Sequence, residues 1–183
     1  MVVEELLLQR CGNVPLDRWK QLGPIAEPAL LRLLDDSTAK TGLRQRAIVE
    51  LGELKSTQAL GVISRVLLDR DEHAITRAYA ATALGVLGNV AGIGALVQAA
   101  QQPDAVVRRQ SARALSHIGS PQALRGLLLL ATDTDTEVAR VAHAGIASLS
   151  KPLGGMVSRA ARHSEQPARR QRARNKLTPK RDK

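Results

Sequence analysis

Aromatic residues are almost absent from this chain. Its 183 residues include one Trp, one Tyr and no Phe. β-Sandwiches and barrels pack aromatic and β-branched side chains, whereas the apolar residues here are mainly Ala and Leu, the strongest helix formers. With 44% hydrophobic and 24% charged residues, the chain is not disordered throughout. The composition therefore predicts an all-α protein.

Cysteine and histidine are also scarce, which argues against several kinds of chemical site. The single cysteine, Cys11, excludes an intramolecular disulfide and a Cys-based zinc site, and it suits a reducing compartment. None of the four histidines lies three or four residues from another, as a helical metal site would need. Neither a phosphate-binding loop nor a Gly-x-Ser-x-Gly elbow occurs. We expect no catalytic residue, metal, cofactor or small-molecule ligand, and the non-enzymatic interpretation is favoured.

Targeting and membrane signals are weak. The N-terminus carries Glu4 and Glu5 where a secretory signal would be basic. Residues 78–103 include no charged residue, but only seven of these 26 are Leu, Ile or Val. That is too little apolar surface for a convincing membrane span. We expect a cytoplasmic protein without one.

Positive charge is concentrated in residues 151–183. This tail holds 11 of the 27 Lys and Arg but only 2 of the 17 Asp and Glu, so it carries +9 of the formal charge of +10. Its few apolar residues predict a largely disordered segment. Its electrostatic residues are Arg169, Arg170, Arg172, Arg174 and Lys176. They could neutralise nucleic-acid phosphates or an acidic protein surface, or serve only solubility.

What the chain has in abundance is a repeated pattern. Four anchor residues, Leu51, Leu84, Leu115 and Ile146, are spaced by 33, 31 and 31 residues. Three further columns keep register with these anchors: Arg seven residues before, with the last copy one place out of register, Ala or Ser four before, and Leu or Ile three after. A period near 31 is typical of helical repeats.

Within each unit the apolar spacing predicts two helices. The first ends at Gly88-Asn89 or Gly119-Ser120-Pro121, where Gly and Asn tolerate the left-handed conformation and Pro cannot continue a helix. The second helices are predicted over residues 57–68, 91–101 and 122–131. Because a hairpin with one apolar side must stack on its neighbours, the sequence predicts a short right-handed α-solenoid of about four to five hairpins. The predicted domains are an N-terminal helical cap (1–24, with Cys11 and Trp19), the array (25–150) and the basic tail (151–183).

Residues 104–119, and their counterpart at 71–88, resemble the HEAT-like repeat of phycobiliprotein lyases and many bacterial adaptor proteins. The resemblance covers about residues 25–150. It implies that the first helix of each unit lines a concave face, and that Arg and Asp form a ladder along the array. The matching positions are Asp71 with Arg77, Asp104 with Arg108, and Asp135 with Arg140. We interpret these arginines as forming structural ion pairs between repeats. The first unit has residues 38–42 where the aspartate is expected.

His73 is the histidine to compare with the metal-binding members of this family. The HEAT-like enzyme deoxyhypusine hydroxylase uses His-Glu pairs at its iron site, whereas this chain has only Glu72-His73, in the reverse order. The resemblance therefore does not imply a metal here.

His143 replaces Ile48, Ala81 and Ala112 of the other units, and we expect it to pack at a repeat interface.

The remaining functional signal comes from the residues expected on the exposed face of the first helices. Residues five before, two before and two after each anchor share one face of the first helix. In the last unit these columns are small or apolar, at Val141, Ala144 and Ser148. The predicted partner-binding residues are Arg46, Tyr79, Thr82, Gln110, Arg113 and His117.

The leading hypothesis is a non-enzymatic adaptor or scaffold for protein–protein interaction. It holds a protein partner on the concave face, and the basic tail adds electrostatic contact. The alternatives are a subunit of a phycobilin-type chromophore lyase, by resemblance, and unspecific nucleic-acid binding through the tail. An ordinary solvated helix face would carry the same mixed polar columns.

Overall fold

The computed structural model describes the backbone of residues 16–36 and 38–150, and side chains from Ile25 onward in those ranges. Within them the chain forms eight α-helices, one short 3₁₀ turn (Val90–Gly92) and no strand. The helices are α1 (Leu16–Asp35), α2 (Thr41–Glu53), α3 (Ala59–Leu68), α4 (Ala74–Leu87), α5 (Ile93–Ala99), α6 (Ala105–Ile118), α7 (Pro121–Leu130) and α8 (Thr136–Leu149). The all-α prediction is confirmed, and the helical hairpins α2–α3, α4–α5 and α6–α7 follow the predicted pattern.

Several sequence predictions lie outside the described residues. They concern Cys11, the side chain of Trp19 and the whole basic tail. Helix α1 is continuous across residue 24, where the cap was predicted to end, and its Ala26, Leu30 and Leu34 are buried in the core. The described helices form one compact unit that closes at Leu149.

Local turn chemistry separates the two helices of each hairpin. Gly88 and Gly119 end α4 and α6 with φ of 67° and 68°, the left-handed conformation in which a side chain would be strained. The Ser120 hydroxyl then accepts a hydrogen bond from the Ala123 N–H at 3.2 Å, and Pro121 opens α7. The predicted breaks at these two sites therefore position the second helices.

The repeat columns form the core. Leu51, Leu84 and Leu115 are fully buried. The column four residues earlier is fully buried too, at Ala47, Ala80, Ser111 and Ala142. These small side chains let the first helices of neighbouring hairpins approach one another closely, as the repeat predicts.

The first helices pack against one another more extensively than the second helices do. A Cβ atom added to Gly85 would lie 2.8 Å from Ala114 Cα, and one on Gly52 would lie 3.1 Å from Ala83 Cβ. Closer packing along one row bends a stack of hairpins toward that row. We therefore call the exposed side of α2, α4, α6 and α8 the inner surface, and the exposed side of α3, α5 and α7 the outer surface.

The uncharged stretch 78–103 is divided between α4 and α5 by the turn at Gly88. In the part of the chain that the structure describes, no helix has the length and apolar character needed to cross a bilayer.

The prediction for His143 is wrong. Its counterparts Ile48, Ala81 and Ala112 are buried, but His143 is exposed. The counterparts are covered by the following hairpin, whereas α8 is the last helix that the structure describes. Repeat position alone therefore does not determine burial at the end of a stack.

Candidate interaction surface

The ladder of ion pairs connects successive hairpins. Arg77 Nη2 lies 2.7 Å from Asp104 Oδ2. Arg108 binds Asp133 through two hydrogen bonds of 2.7 and 2.8 Å, and Arg44 pairs with Glu72. In each case the arginine of one first helix reaches an acidic residue that precedes the first helix of the next hairpin.

This geometry corrects the predicted partners. Arg77 does not bind the Asp71 carboxylate, nor Arg108 that of Asp104, because the carboxylate that each arginine binds lies across the repeat interface. Arg140, on the last described helix, instead binds Glu137 within α8 at 2.7 Å. The interpretation as ion pairs between repeats holds for the three forward-pointing arginines, including the one in the first unit.

Gln102 is the ladder residue that sequence reasoning missed. It is buried and accepts a hydrogen bond from Arg77, while its Nε2 donates to the carbonyl oxygen of Leu67 at 3.1 Å. Arg77 Nε donates to the Glu72 carbonyl oxygen at 3.1 Å. The buried guanidinium is thereby satisfied. No repeat column marks Gln102, since the other units have no Gln at that offset.

Asp133 should give the ladder a measurable pH dependence. The hydrogen bond from Arg108 lowers the pKa of Asp133 below its ordinary value of 3.8, with a smaller contribution from the Asp135 N–H. This contribution to stability is fully present above the unfolded-state pKa, and it is lost as the pH falls through the lower folded-state pKa.

We expect Asp133→Asn to lower the free energy of unfolding by about 1–2 kcal/mol at pH 7, since hydrogen bonds to a charged group are lost. The difference from wild type should shrink as the pH falls below about 3.8. Urea unfolding between pH 7 and pH 2.5 measures both. Asp71→Asn, which alters an exposed carboxylate outside the ladder, is the matched control and should stay within about 0.5 kcal/mol of wild type. A larger effect at Asp71 would restore the pairing predicted from the sequence.

The predicted partner-binding residues lie along the inner surface. Tyr79 and Thr82 are exposed on α4, and the Thr82 hydroxyl donates only to the Ala78 carbonyl of its own helix at 3.0 Å. Arg46 on α2 is held by Glu50 at 2.7 Å, where burial raises the pKa of the Glu50 carboxyl against the attraction of Arg46. Exposed Val49 lies two residues before its anchor, in the same column as Thr82.

Two of the three predicted residues on α6, Arg113 and His117, lie beside α8. Arg113 is exposed, and its Nη1 donates to Gln110 Oε1 at 3.5 Å. His117 is anchored to the preceding hairpin, with Nδ1 3.0 Å from the Gly85 carbonyl oxygen. Arg113 and His117 thus share a groove with α8, while Tyr79, Thr82 and Arg46 line the two helices before it.

The groove between α6 and α8 has a volume of about 390 Å³. A Cβ atom on Gly145 would lie 3.0 Å from Ser116 Cβ, so the two helices approach closely at its floor. The lining residues are Arg113, Ser116, His117, Arg140, Val141, Ala144, Gly145 and Ser148. The sequence columns contained Val141, Ala144 and Ser148, but their small or apolar character did not identify them as groove residues.

Glu72 and His73 are both engaged in structural contacts. Glu72 is bound by Arg44, and His73 Nδ1 accepts a hydrogen bond from the Ile75 N–H at 3.3 Å as the cap of α4. Across the described ranges, no three His, Cys, Asp or Glu side chains are grouped as metal ligands would be.

Comparison with known proteins supports the repeat architecture. Residues 62–147 match the family model of HEAT repeats. Among the solved structures, human deoxyhypusine hydroxylase in complex with glycerol is similar, with 27% sequence identity and a TM-score of 0.61. The match covers 70% of this chain but 46% of the hydroxylase chain. A search of the curated proteins finds no significant match. The phycobiliprotein-lyase subtype is not confirmed; the match identifies HEAT repeats within residues 62–147, and the stacked hairpins agree with that architecture.

Proposed function

We propose that this protein is a non-enzymatic adaptor that holds a protein partner on the inner surface of its HEAT-like array. The observation that carries the proposal is a row of exposed side chains that the array itself does not use. Tyr79 and Val49 are 40% and 37% exposed although both are large and apolar. The charged ladder residues, by contrast, are already bound to one another.

The composition of the inner surface suits a protein partner. Tyr and Arg are enriched among the residues that dominate binding energy at protein interfaces. Here the only tyrosine of the chain and the exposed Arg113 lie on neighbouring first helices. Stacked repeats present such residues along an extended surface, which is the usual mode of binding for solenoids.

The activity of the hydroxylase is not proposed for this chain. Glu72 and His73 are engaged in the ladder and in a helix cap, and the chain spans less than half of that enzyme. The tail is proposed to add electrostatic attraction to the partner, on the basis of its sequence alone.

We expect replacement of Tyr79, Gln110 and Arg113 by Ala to reduce partner capture at least tenfold, since exposed aromatic and Arg side chains dominate such interfaces. The melting temperature should change little, because exposed substitutions cost within about 0.5 kcal/mol. Quantitative affinity purification of the tagged full-length chain from its source cells, after nuclease treatment, measures the loss.

The matched control replaces Gln98, Gln122 and Arg125 by Ala, three exposed residues of the outer surface. This variant should retain full capture. If both triple variants capture the partner as well as wild type does, the inner surface is excluded. If only the control variant loses the partner, the partner binds α5 and α7. A partner that disappears on nuclease treatment would favour nucleic-acid binding through the tail.

A further inference from the structure

The groove between α6 and α8 has an excess of positive charge that the rest of the inner surface lacks. Arg113 and Arg140 line the groove, and Arg109 lies one helical turn before Arg113 on the same face of α6. All three act on the Glu137 carboxylate in the first turn of α8. The hydrogen bond from Arg140 is the main cause that lowers the pKa of Glu137, and the charges of Arg109 and Arg113 lower it further. Three guanidinium groups thus act on one acid.

Among the described residues, Arg109 and Arg113 form no ion pair with a carboxylate. Arg140 binds Glu137 directly at 2.7 Å. Arg113 has only the 3.5 Å contact with Gln110, and the enclosed Nε of half-buried Arg109 has no hydrogen-bond partner within the described ranges. The arginines of the ladder differ, since each of those three has an acidic partner on the next hairpin.

The floor of the groove is small and weakly polar. Gly145, Ala144 and Ser116 form the floor where α6 and α8 approach closely, and Val141 supplies an apolar wall. A volume of about 390 Å³ accommodates a few peptide side chains. The groove therefore combines a cationic rim with a shallow apolar floor.

We propose that this groove binds an acidic segment of the protein partner, whose carboxylates pair with Arg109 and Arg113 while a small apolar side chain packs against Val141. The inference rests on the proposed function and names the chemistry of the partner. Guanidinium groups bind carboxylates in a planar, bidentate manner that favours this pairing.

The charge distribution favours a peptide over nucleic acid. Toward the N-terminal side, the inner surface carries Glu53, Tyr79 and Thr82, and Arg46 there is already paired with Glu50. Duplex DNA presents a negative charge about every 1.7 Å and needs an extended basic track. A local cationic groove suits a short acidic peptide instead.

The test measures fluorescence anisotropy of a labelled decapeptide, rich in glutamate with a central leucine, on the full-length chain. Arg109→Glu with Arg113→Glu should weaken binding at least tenfold. The matched control, Arg70→Glu with Arg125→Glu, makes the same change in net charge at two exposed arginines outside the groove, and should remain within twofold of wild type. A peptide with glutamine in place of glutamate should bind at least tenfold more weakly to wild type.

Equal weakening in both charge-reversed variants would show diffuse attraction, to the tail for example, and would overturn the proposal. The proposal would also be overturned if neither charge-reversed variant bound the peptide more weakly. It would be overturned as well if a DNA duplex displaced the peptide and this displacement required Arg109 and Arg113. Arg109→Gln with Arg113→Gln provides the same test should charge reversal impair folding, which the melting temperature reports. Partner capture that survives loss of Arg109 and Arg113 but not of Tyr79 would refute this inference alone and leave the proposed function in place.

Discussion

Replacing Leu115 by Ala is expected to lower the free energy of unfolding by about 2–5 kcal/mol, the cost of lost burial plus the cavity that remains. Leu115 is fully buried near the C-terminal end of α6. Its Cδ1 lies 2.6 Å from the position that a Cβ on Gly126 of α7 would occupy, so the leucine fills the space that this glycine leaves open. Helices held by neighbours on both sides cannot collapse into that space.

Urea unfolding followed by circular dichroism measures the loss at Leu115. Leu129→Ala is the matched control, because Leu129 on α7 is 55% exposed and its truncation should cost within about 0.5 kcal/mol. The double variant Leu115→Ala with Gly126→Ala should be more stable than Leu115→Ala alone, since the added methyl group enters the cavity. A loss near zero for Leu115→Ala would mean that the repeat register is wrong.

Gly85→Ala and Gly94→Ala should have effects of opposite sign. At Gly85 the new Cβ would lie 2.8 Å from the Ala114 Cα, so the backbones of α4 and α6 must separate, at a cost of about 1–3 kcal/mol. At exposed Gly94 in α5 nothing lies within 4 Å of the new Cβ. There Ala removes the entropic cost of Gly in a helix and should stabilise by about 0.5–1 kcal/mol.

Both variants add one methyl group, so thermal melts compare the two sites directly. They show whether helix propensity or the close approach of neighbouring helices determines the change in stability at each site. A stabilised Gly85→Ala would show that the first helices are not packed backbone to backbone. It would also remove the reason for the bend toward α2, α4, α6 and α8.

The fold could be predicted from the sequence because its determinants are local or periodic. Gly88 and Gly119 mark helix ends through their own backbone preference, and Leu51, Leu84 and Leu115 repeat at the spacing of the structural unit. Both signals lie within one hairpin or recur in the next. Neither depends on knowing which side chains meet across an interface.

The errors concern contacts between hairpins. The ladder arginines were assigned to aspartates of their own unit, but Arg77 and Arg108 bind the acid one hairpin ahead, at a separation of 27 and 25 residues. Gln102 connects two successive hairpins, through Arg77 on α4 and the Leu67 carbonyl on α3, without belonging to any column. His143 follows the register of buried residues yet is exposed.

The candidate site was predicted only in part, because it too depends on contacts between different hairpins. Arg113 and His117 were identified as surface residues of one helix. The groove exists only because Gly145 lets α8 approach Ser116, about one repeat away in sequence. Arg109 is not one of the predicted residues, and its relevance to the site comes from the effect of its charge on Glu137 of α8.

Photocrosslinking from defined positions of the full-length protein tests the adaptor account most directly. A photoreactive residue is placed at Thr82 on the inner surface or, in a matched variant, at Gln98 on the outer surface, both of which are exposed. After irradiation in the source cells, the account predicts discrete protein adducts from Thr82 and none from Gln98. Adducts formed equally at both positions, or only at Gln98, would contradict binding of a partner on the inner surface.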